Sequence, residues 1–378
     1  MRVCDVVKDS VWYDPRVKKQ LAEYVRNGVE VLAVGIKDKR YNEEEVKKLP
    51  CPVYLVDMYQ KARGIVRKIK RETHTNKSIY RKILELKPDI IHANDLNALI
   101  PAYKAAKKLK CKLIYDTHEI FLENPWIARN KVIKFVWGFY EKRIIKKVDL
   151  VVCVSHAAGQ YLQQKYKIKE PLVVTNCIRA EQRIENDTIK SEKKEILNHG
   201  QFYEGRGYDI LVDTAPLLKK YADLEVVLRG FGTLEESLKE QARKNEADNL
   251  RFAPPVKVDE LIPCSSKAWV GCAITEAISI NFKLSVSNKI FEYAAAGLPV
   301  IMSDIPEHRY LNDKYNFGII LAKDAPEEIY NAIDALYNDE ALYYRYAENA
   351  KRLSREINWE NEFGKLLNIE YLMMQEKI

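Results

Sequence analysis

The chain has 378 residues, 47% of them hydrophobic and 31% charged, with a formal net charge of +8. That length exceeds what one core ordinarily supports and that composition excludes a disordered tail, so at least two globular domains are expected. The charge is uneven: residues 1–200 carry 41 Lys and Arg against 25 Asp and Glu, and residues 201–378 carry 21 against 29, so the basic first half is expected to meet something anionic, such as a membrane surface, a phosphorylated acceptor or nucleic acid.

The opening, Met1-Arg2-Val3-Cys4-Asp5-Val6-Val7, breaks its apolar run with a charge and reads as a first strand, not a secretory segment. No stretch approaches the roughly 20 uncharged apolar residues of a membrane span, and a cytoplasmic location is expected. Short Val- and Ile-rich runs at 2–7, 29–34, 53–56, 89–92, 112–116 and 150–154 alternate with segments of helical period. This is the pattern of a parallel sheet covered by helices on both faces. In one such helix, 16–27, Val17, Leu21 and Tyr24 recur at steps of four and three, and Asn27-Gly28 supplies the stop.

Seven cysteines form no CxxC pair, so neither zinc nor a disulfide scaffold is signalled, and Cys153 reads as a small hydrophobe in a strand. Residues 61–90 hold ten Lys and Arg against three acidic groups, and 126–148 mixes Trp126, Phe135, Trp137, Phe139 and Tyr140 with seven cations. Two readings stand for these segments. One is an interfacial membrane helix; the other is a helix packed on the sheet by its apolar stripe with its cations in water.

A heavily charged stretch at 179–194 separates this series from a second one, with strands expected at 195–200, 224–229, 250–252, 270–274, 299–302 and 318–321. The expected domains are 1–180 and 181–355, with 356–378 as a closing helix. Two open α/β sheets in tandem are expected to take ligands in the cleft between them, at the carboxyl ends of the strands.

The segment Ser285-Val286-Ser287-Asn288-Lys289-Ile290-Phe291-Glu292-Tyr293-Ala294-Ala295-Ala296-Gly297-Leu298-Pro299 is the most informative. Ser287 and Asn288 open a short helix whose free N–H groups and dipole suit a diphosphate. Glu292, one turn on, is placed to accept hydrogen bonds from ribose hydroxyls. A second element, His199-Gly200-Gln201-Phe202-Tyr203-Glu204-Gly205-Arg206-Gly207, brackets one Arg with glycines that let backbone approach a ligand. Arg229-Gly230-Phe231-Gly232 repeats the idea after the next strand. Neither is a Walker loop or a dinucleotide fingerprint, and each also reads as an ordinary turn or capped helix.

Taken in order and at these separations, the glycines, Arg206 and the 288–301 segment resemble the nucleotide-sugar domain of family 4 glycosyltransferases. The likeness extends through Asp14-Pro15-Arg16, Asp89 to Asp95, Tyr115-Asp116-Thr117-His118-Glu119, Val154-Ser155, Thr175-Asn176 and Trp359, and so covers nearly the whole chain. It implies a GT-B fold, two Rossmann-like doubly wound domains facing a central cleft, and a retaining reaction. It implies too that the closing helix crosses back onto the first domain. By the same likeness Arg206 binds the diphosphate, Glu292 is the second glutamate of the EX7E motif and holds the ribose, and His118 lies near the reacting sugar. The likeness draws the donor site from Gly200, Gly205, Arg206, Gly207, Arg229, Gly230, Gly232, Ser287, Asn288, Lys289 and Glu292. Trp12, Asp14, Arg16, Asn94 and Asp95 are the acceptor-side candidates. The sequence departs from the pattern where Leu284 replaces the first glutamate, Gln201 a second basic residue, and Lys8 to Tyr13 a glycine pair.

The function expected is transfer of a sugar from a nucleotide-diphosphate sugar to a glycan, lipid-linked or other acceptor in cell-surface polysaccharide or glycoconjugate synthesis. No cofactor is expected and, with no carboxylate pair suitably spaced, no metal. An anionic membrane surface is a further partner; nucleic acid is not, since no recognised module accompanies the charge. A nucleotide-sugar epimerase of the same architecture and a non-catalytic sugar-nucleotide-binding partner are the alternatives.

Overall fold

A computed structural model describes residues 1–57, 64–185 and 188–375. Residues 61–63 of the first basic segment, residues 186–187 of the charged stretch and the side chain of Trp126 lie outside the described residues. The chain forms two compact units, one of Met1–Thr175 with Glu362–Ile378 and one of Asn176–Asn361.

The first unit is built on seven parallel strands: β1 (Arg2–Val7), β2 (Glu30–Lys37), β3 (Val53–Asp57), β4 (Ile90–Asn94), β5 (Lys112–Thr117), β6 (Leu150–Cys153) and β7 (Leu172–Val173). Their order is β3-β2-β1-β4-β5-β6-β7, wound outward in both directions from the β1/β4 pair. The six expected strands are present, some a residue or more longer. The two-residue β7 is too short to carry a pattern and was not foreseen. Helix α1 (Pro15–Arg26) follows β1; the Asp14 carboxylate accepts from the Arg16 and Val17 N–H groups, and Val17, Leu21 and Tyr24 are fully buried against the sheet. Helix α2 (Asp95–Leu109) follows β4 and α3 (Lys131–Ile144) follows β5.

The segment holding α3 departs from its packed-stripe reading. Val132, Phe135, Val136, Phe139 and Tyr140 are exposed, and the helix is instead held from its other side. There Trp137 meets Phe121 at 5.4 Å between ring centroids, Ile144 is buried, and the buried Glu141 carboxylate accepts from the Tyr115 and Tyr166 hydroxyls.

The interior of this unit is polar as well as apolar. Arg16 is only 4% exposed; its Nη2 donates to both Asp116 oxygens at 3.2 and 3.0 Å and its Nη1 to the Val174 carbonyl at 3.0 Å. Asn94 and Gln20 both donate to Asp5, at 2.8 and 3.1 Å, and Tyr24 joins His92 to Glu370. Glu370 comes from the last helix, α5 (Trp359–Gln375), which belongs to this unit from Glu362 onward.

The second unit repeats the winding with six parallel strands: β8 (Lys194–Gln201), β9 (Leu224–Phe231), β10 (Leu250–Ala253), β11 (Val270–Ala273), β12 (Val300–Ser303) and β13 (Gly318–Leu321). The order is β10-β9-β8-β11-β12-β13, and Ile196, Val226, Leu228, Val270 and Ile301 supply core side chains. Helix α4 (Asn288–Ala295) packs between β11 and β12 in sequence. The charged stretch is tied to this unit, since the Ile184 N–H donates to the Ala295 carbonyl at 2.9 Å.

A buried carboxylate left without its cation is costly. Replacement Arg16→Met is therefore expected to lower unfolding free energy by about 3 kcal/mol in urea titrations at neutral pH. The loss should shrink on acidification, because Asp116, whose carboxyl Arg16 holds well below the usual range against the opposing effect of burial, then becomes protonated.

Candidate functional site

Both units present side chains at the point where strand order reverses, which in doubly wound sheets is where a crevice opens. In the second unit that point is the carboxyl end of β8 and β11. Strand β8 delivers Asn198, His199, Gly200 and Gln201, and the loop after it carries Arg206.

The glycines here serve packing. A Cβ on Gly230, at φ +151°, would lie 1.8 Å from the Gly200 carbonyl oxygen, and one on Gly232 would lie 2.5 Å from the Phe202 backbone. Gly205 and Gly207 are likewise closed off, by Ile278 and Ile274. The sequence reading gave these glycines to ligand approach; the space beside them is filled by the protein. The close packing at Gly205 and Gly207 also positions Arg206 between them.

Asn198 is fully buried and joins two cations. Its Nδ2 donates to the Arg206 carbonyl at 3.2 Å and its Oδ1 accepts from Lys289 Nζ at 2.6 Å. Lys289 sits on the first turn of α4, 6% exposed, with its ammonium 5.0 Å from the Tyr208 ring centre and its stem 4.0 Å from a Cβ placed on Gly200. Burial and the nearby Arg206 charge push its pKa down to about 7, partly opposed by Glu292. The Arg206 guanidinium lies 5.2 Å from the Phe282 ring centre.

Ser287 holds the N-cap position of α4 yet makes no side-chain cap bond, and its buried Oγ has no partner among the described residues. One turn on, Glu292 Oε2 lies 3.5 Å from His199 Nε2. Burial, with Lys289 and Arg229 adding to it, drives the His199 pKa down to about 3, so the ring is neutral. Arg229, expected at the ligand, donates to the Pro254 carbonyl at 3.2 Å. Gln201 is exposed, and Leu284 ends the short helix Ile280–Leu284. Asn198, His199 and Tyr208 were not singled out from the sequence, because their roles appear only when β8 and α4 are brought together.

In the first unit the acceptor-side candidates gather about His118, just past β5. Its Nε2 donates to Asn94 Oδ1 at 3.0 Å, its backbone N–H donates to Asp95 Oδ1 at 3.0 Å, and Asp14, Asp95 and Asp116 oxygens lie 3.9, 3.8 and 3.7 Å from its ring nitrogens. Burial works to lower its pKa, but Asp95 and Asp116 outweigh it and raise the value to about 9. His118 is an imidazolium at neutral pH. Asp95 sits at φ +63°, a left-handed conformation uncommon outside glycine. Three of the candidates are closed to solvent, Asn94 being fully buried. Arg16 is spent on Asp116, and Trp12, 4% exposed, packs edge-on to Tyr41 at 5.8 Å.

Known proteins agree with this architecture. The sequence profile of Glycosyltransferase Family 4 matches residues 16–182 and that of Glycosyl transferases group 1 matches residues 193–339. An uncharacterized glycosyltransferase of Haemophilus influenzae is 25% identical over 215 residues, which is 56% of this chain and little more than half, 58%, of that protein. Among solved structures, sucrose-phosphate synthase from Thermosynechococcus elongatus superposes with a TM-score of 0.78 at 12% identity, over all of both chains. Anabaena Alr3699/HepE, solved in complex with UDP and glucose, does so with a TM-score of 0.74 at 15% identity over 98% of this chain and 99% of that one. The chain belongs to the family 4 glycosyltransferases and has their GT-B fold of two doubly wound α/β domains.

Proposed function

We propose that the protein transfers a sugar, with retention, from a nucleoside-diphosphate sugar bound by the Asn176–Asn361 unit to a glycan, lipid-linked or other acceptor in cell-surface polysaccharide or glycoconjugate synthesis. The observation that carries this reading is the convergence of Arg206, Lys289 and the uncapped start of α4 on one end of the sheet, with Glu292 one turn further along. Cations and free N–H groups suit a diphosphate; a carboxylate beside them suits the two hydroxyls of a ribose. That Anabaena Alr3699/HepE was solved with UDP and glucose is in keeping with such a ligand.

In the proposed reaction the bond from the sugar to the diphosphate breaks with its electron pair on the phosphate oxygen. The acceptor hydroxyl forms the new bond and passes its proton to the departing phosphate oxygen. Arg206 and Lys289 stabilise the charge that develops on the leaving group, the part a divalent metal would otherwise take. Among the described residues no group of three or more His, Cys, Asp or Glu is arranged to hold a metal ion. His118 is assigned to the transferred sugar on the strength of the family likeness. The basic first unit is assigned to the inner face of the cytoplasmic membrane, where anionic lipid matches its charge.

Substitution Glu292→Gln is expected to weaken UDP binding by about ten- to a hundredfold with the melting temperature unchanged, read by calorimetry; equal affinity would remove Glu292 from the ribose. Arg206→Ala should lower turnover at saturating donor by about a hundredfold and leave stability nearly intact, and wild-type turnover should persist in EDTA. For Lys289, held near pH 7 when free, UDP affinity should fall as pH rises from 7 to 9, by up to about tenfold per unit, because the neutral amine no longer attracts phosphate. A calorimetric series on wild type and Lys289→Met checks this: the slope should vanish in the variant.

A further inference from the structure

Helix α3 presents an apolar face that is left exposed among the described residues. Val132, Phe135, Val136, Phe139 and Tyr140 are 73, 75, 46, 47 and 42% exposed and recur at i, i+3, i+4, i+7 and i+8, which makes a single stripe along the helix. A soluble protein rarely turns two Phe and two Val of one helix face to water. The stripe has no freedom to roll inward, since Trp137, Glu141 and Ile144 fix the opposite face to the unit.

Cations border it. Lys131 precedes the stripe, and Lys142, Arg143, Lys146 and Lys147 follow it, all exposed, with the Arg143 guanidinium 4.4 Å from the Phe139 ring centre. The one carboxylate on the helix, Glu141, is turned inward onto two tyrosine hydroxyls and so does not offset them. No helix among the described residues is long and apolar enough to cross a membrane.

We propose that α3 is the membrane-contacting element of the protein, lying in the plane of an anionic bilayer with Val132, Phe135, Val136, Phe139 and Tyr140 among the lipid chains and the flanking cations on the headgroups. The proposal rests on the assignment of the first unit to a membrane and names the side chains that make the contact. Apolar stripe and cationic border together are what an interfacial helix needs: the first supplies burial, the second attraction to anionic lipid. A second copy of the chain fits less well. Pairing two such faces about a twofold axis would set Lys131 and the Lys142 to Lys147 cluster of one copy against those of the other, with no exposed acid on the helix to compensate.

The test is co-sedimentation of the full chain with vesicles of phosphatidylcholine alone and of equal parts phosphatidylcholine and phosphatidylglycerol, at low and high salt. Wild type should pellet with the anionic vesicles at low salt. The triple variant Val132→Ser, Phe135→Ser, Phe139→Ser should lose at least about tenfold in partitioning, because apolar burial is the larger share of interfacial binding. The quadruple variant Lys142→Gln, Arg143→Gln, Lys146→Gln, Lys147→Gln should lose the salt dependence. All changed positions are exposed, and an unaltered UDP-induced thermal shift verifies that the chain has folded. If wild type pellets and the triple Ser variant pellets equally, the stripe is not the contact although the membrane assignment stands. If wild type fails to pellet with anionic vesicles at low salt, both fall. A wild-type dimer in sedimentation velocity that becomes monomeric in the triple variant would assign the face to a second copy instead.

Discussion

A charge taken out of water must be answered inside the protein, and in this chain that requirement shapes both switch points. In the first unit Asp116 ends a buried strand and is met by Arg16 from the helix after β1, a hundred residues earlier. That bond fixes α1 against β5, and around it are set Asp14 on the N-cap, Asn94 at the end of β4 and His118 beyond β5. In the second unit the buried ammonium of Lys289 hydrogen-bonds the amide oxygen of Asn198, a neutral group, and feels the Glu292 charge without a close ion pair among the described residues. Its charge is therefore incompletely satisfied by the protein, and that leaves it disposed toward an anion.

The two clusters are electrostatic opposites although the sheets are wound alike. Three carboxylates lie near His118, and Asp95 and Asp116 outweigh burial to keep it protonated. In the second unit burial, with Arg206 nearby, brings the Lys289 pKa down to about 7, and burial, with Lys289 and Arg229 nearby, keeps His199 neutral. The second cluster thus holds like charges close together out of water, an arrangement that the proposed diphosphate would relieve. In the first cluster the imidazolium already has carboxylates beside it.

Much of the fold is written locally. Buried parallel strands read as continuous Val and Ile runs, and α1 shows its period in Val17, Leu21 and Tyr24. Arg206 and Glu292 stand out because glycines, a helix start and the strand following it lie in fixed order around them. What could not be read depends on long-range contact. Nothing near Asn198 marks it as the tie between Arg206 and Lys289, ninety-one residues on. The glycines near Arg206 look the same whether ligand or Ile274 and Ile278 fill the adjacent space. Helical period revealed an apolar stripe on α3 but not which side faces the unit; the inward side carries a glutamate, which composition alone assigns to water.

The way Glu141 is held has a thermodynamic corollary. Many surface-active peptides are unstructured in solution and order only on contact, so association is taxed by backbone entropy and is correspondingly slow to reverse. Helix α3 is already wound and clamped through Tyr115 and Tyr166 before any encounter. The proposed contact would therefore require no coil-to-helix transition, and residence time would be set by apolar burial and lipid charge in place of a folding step.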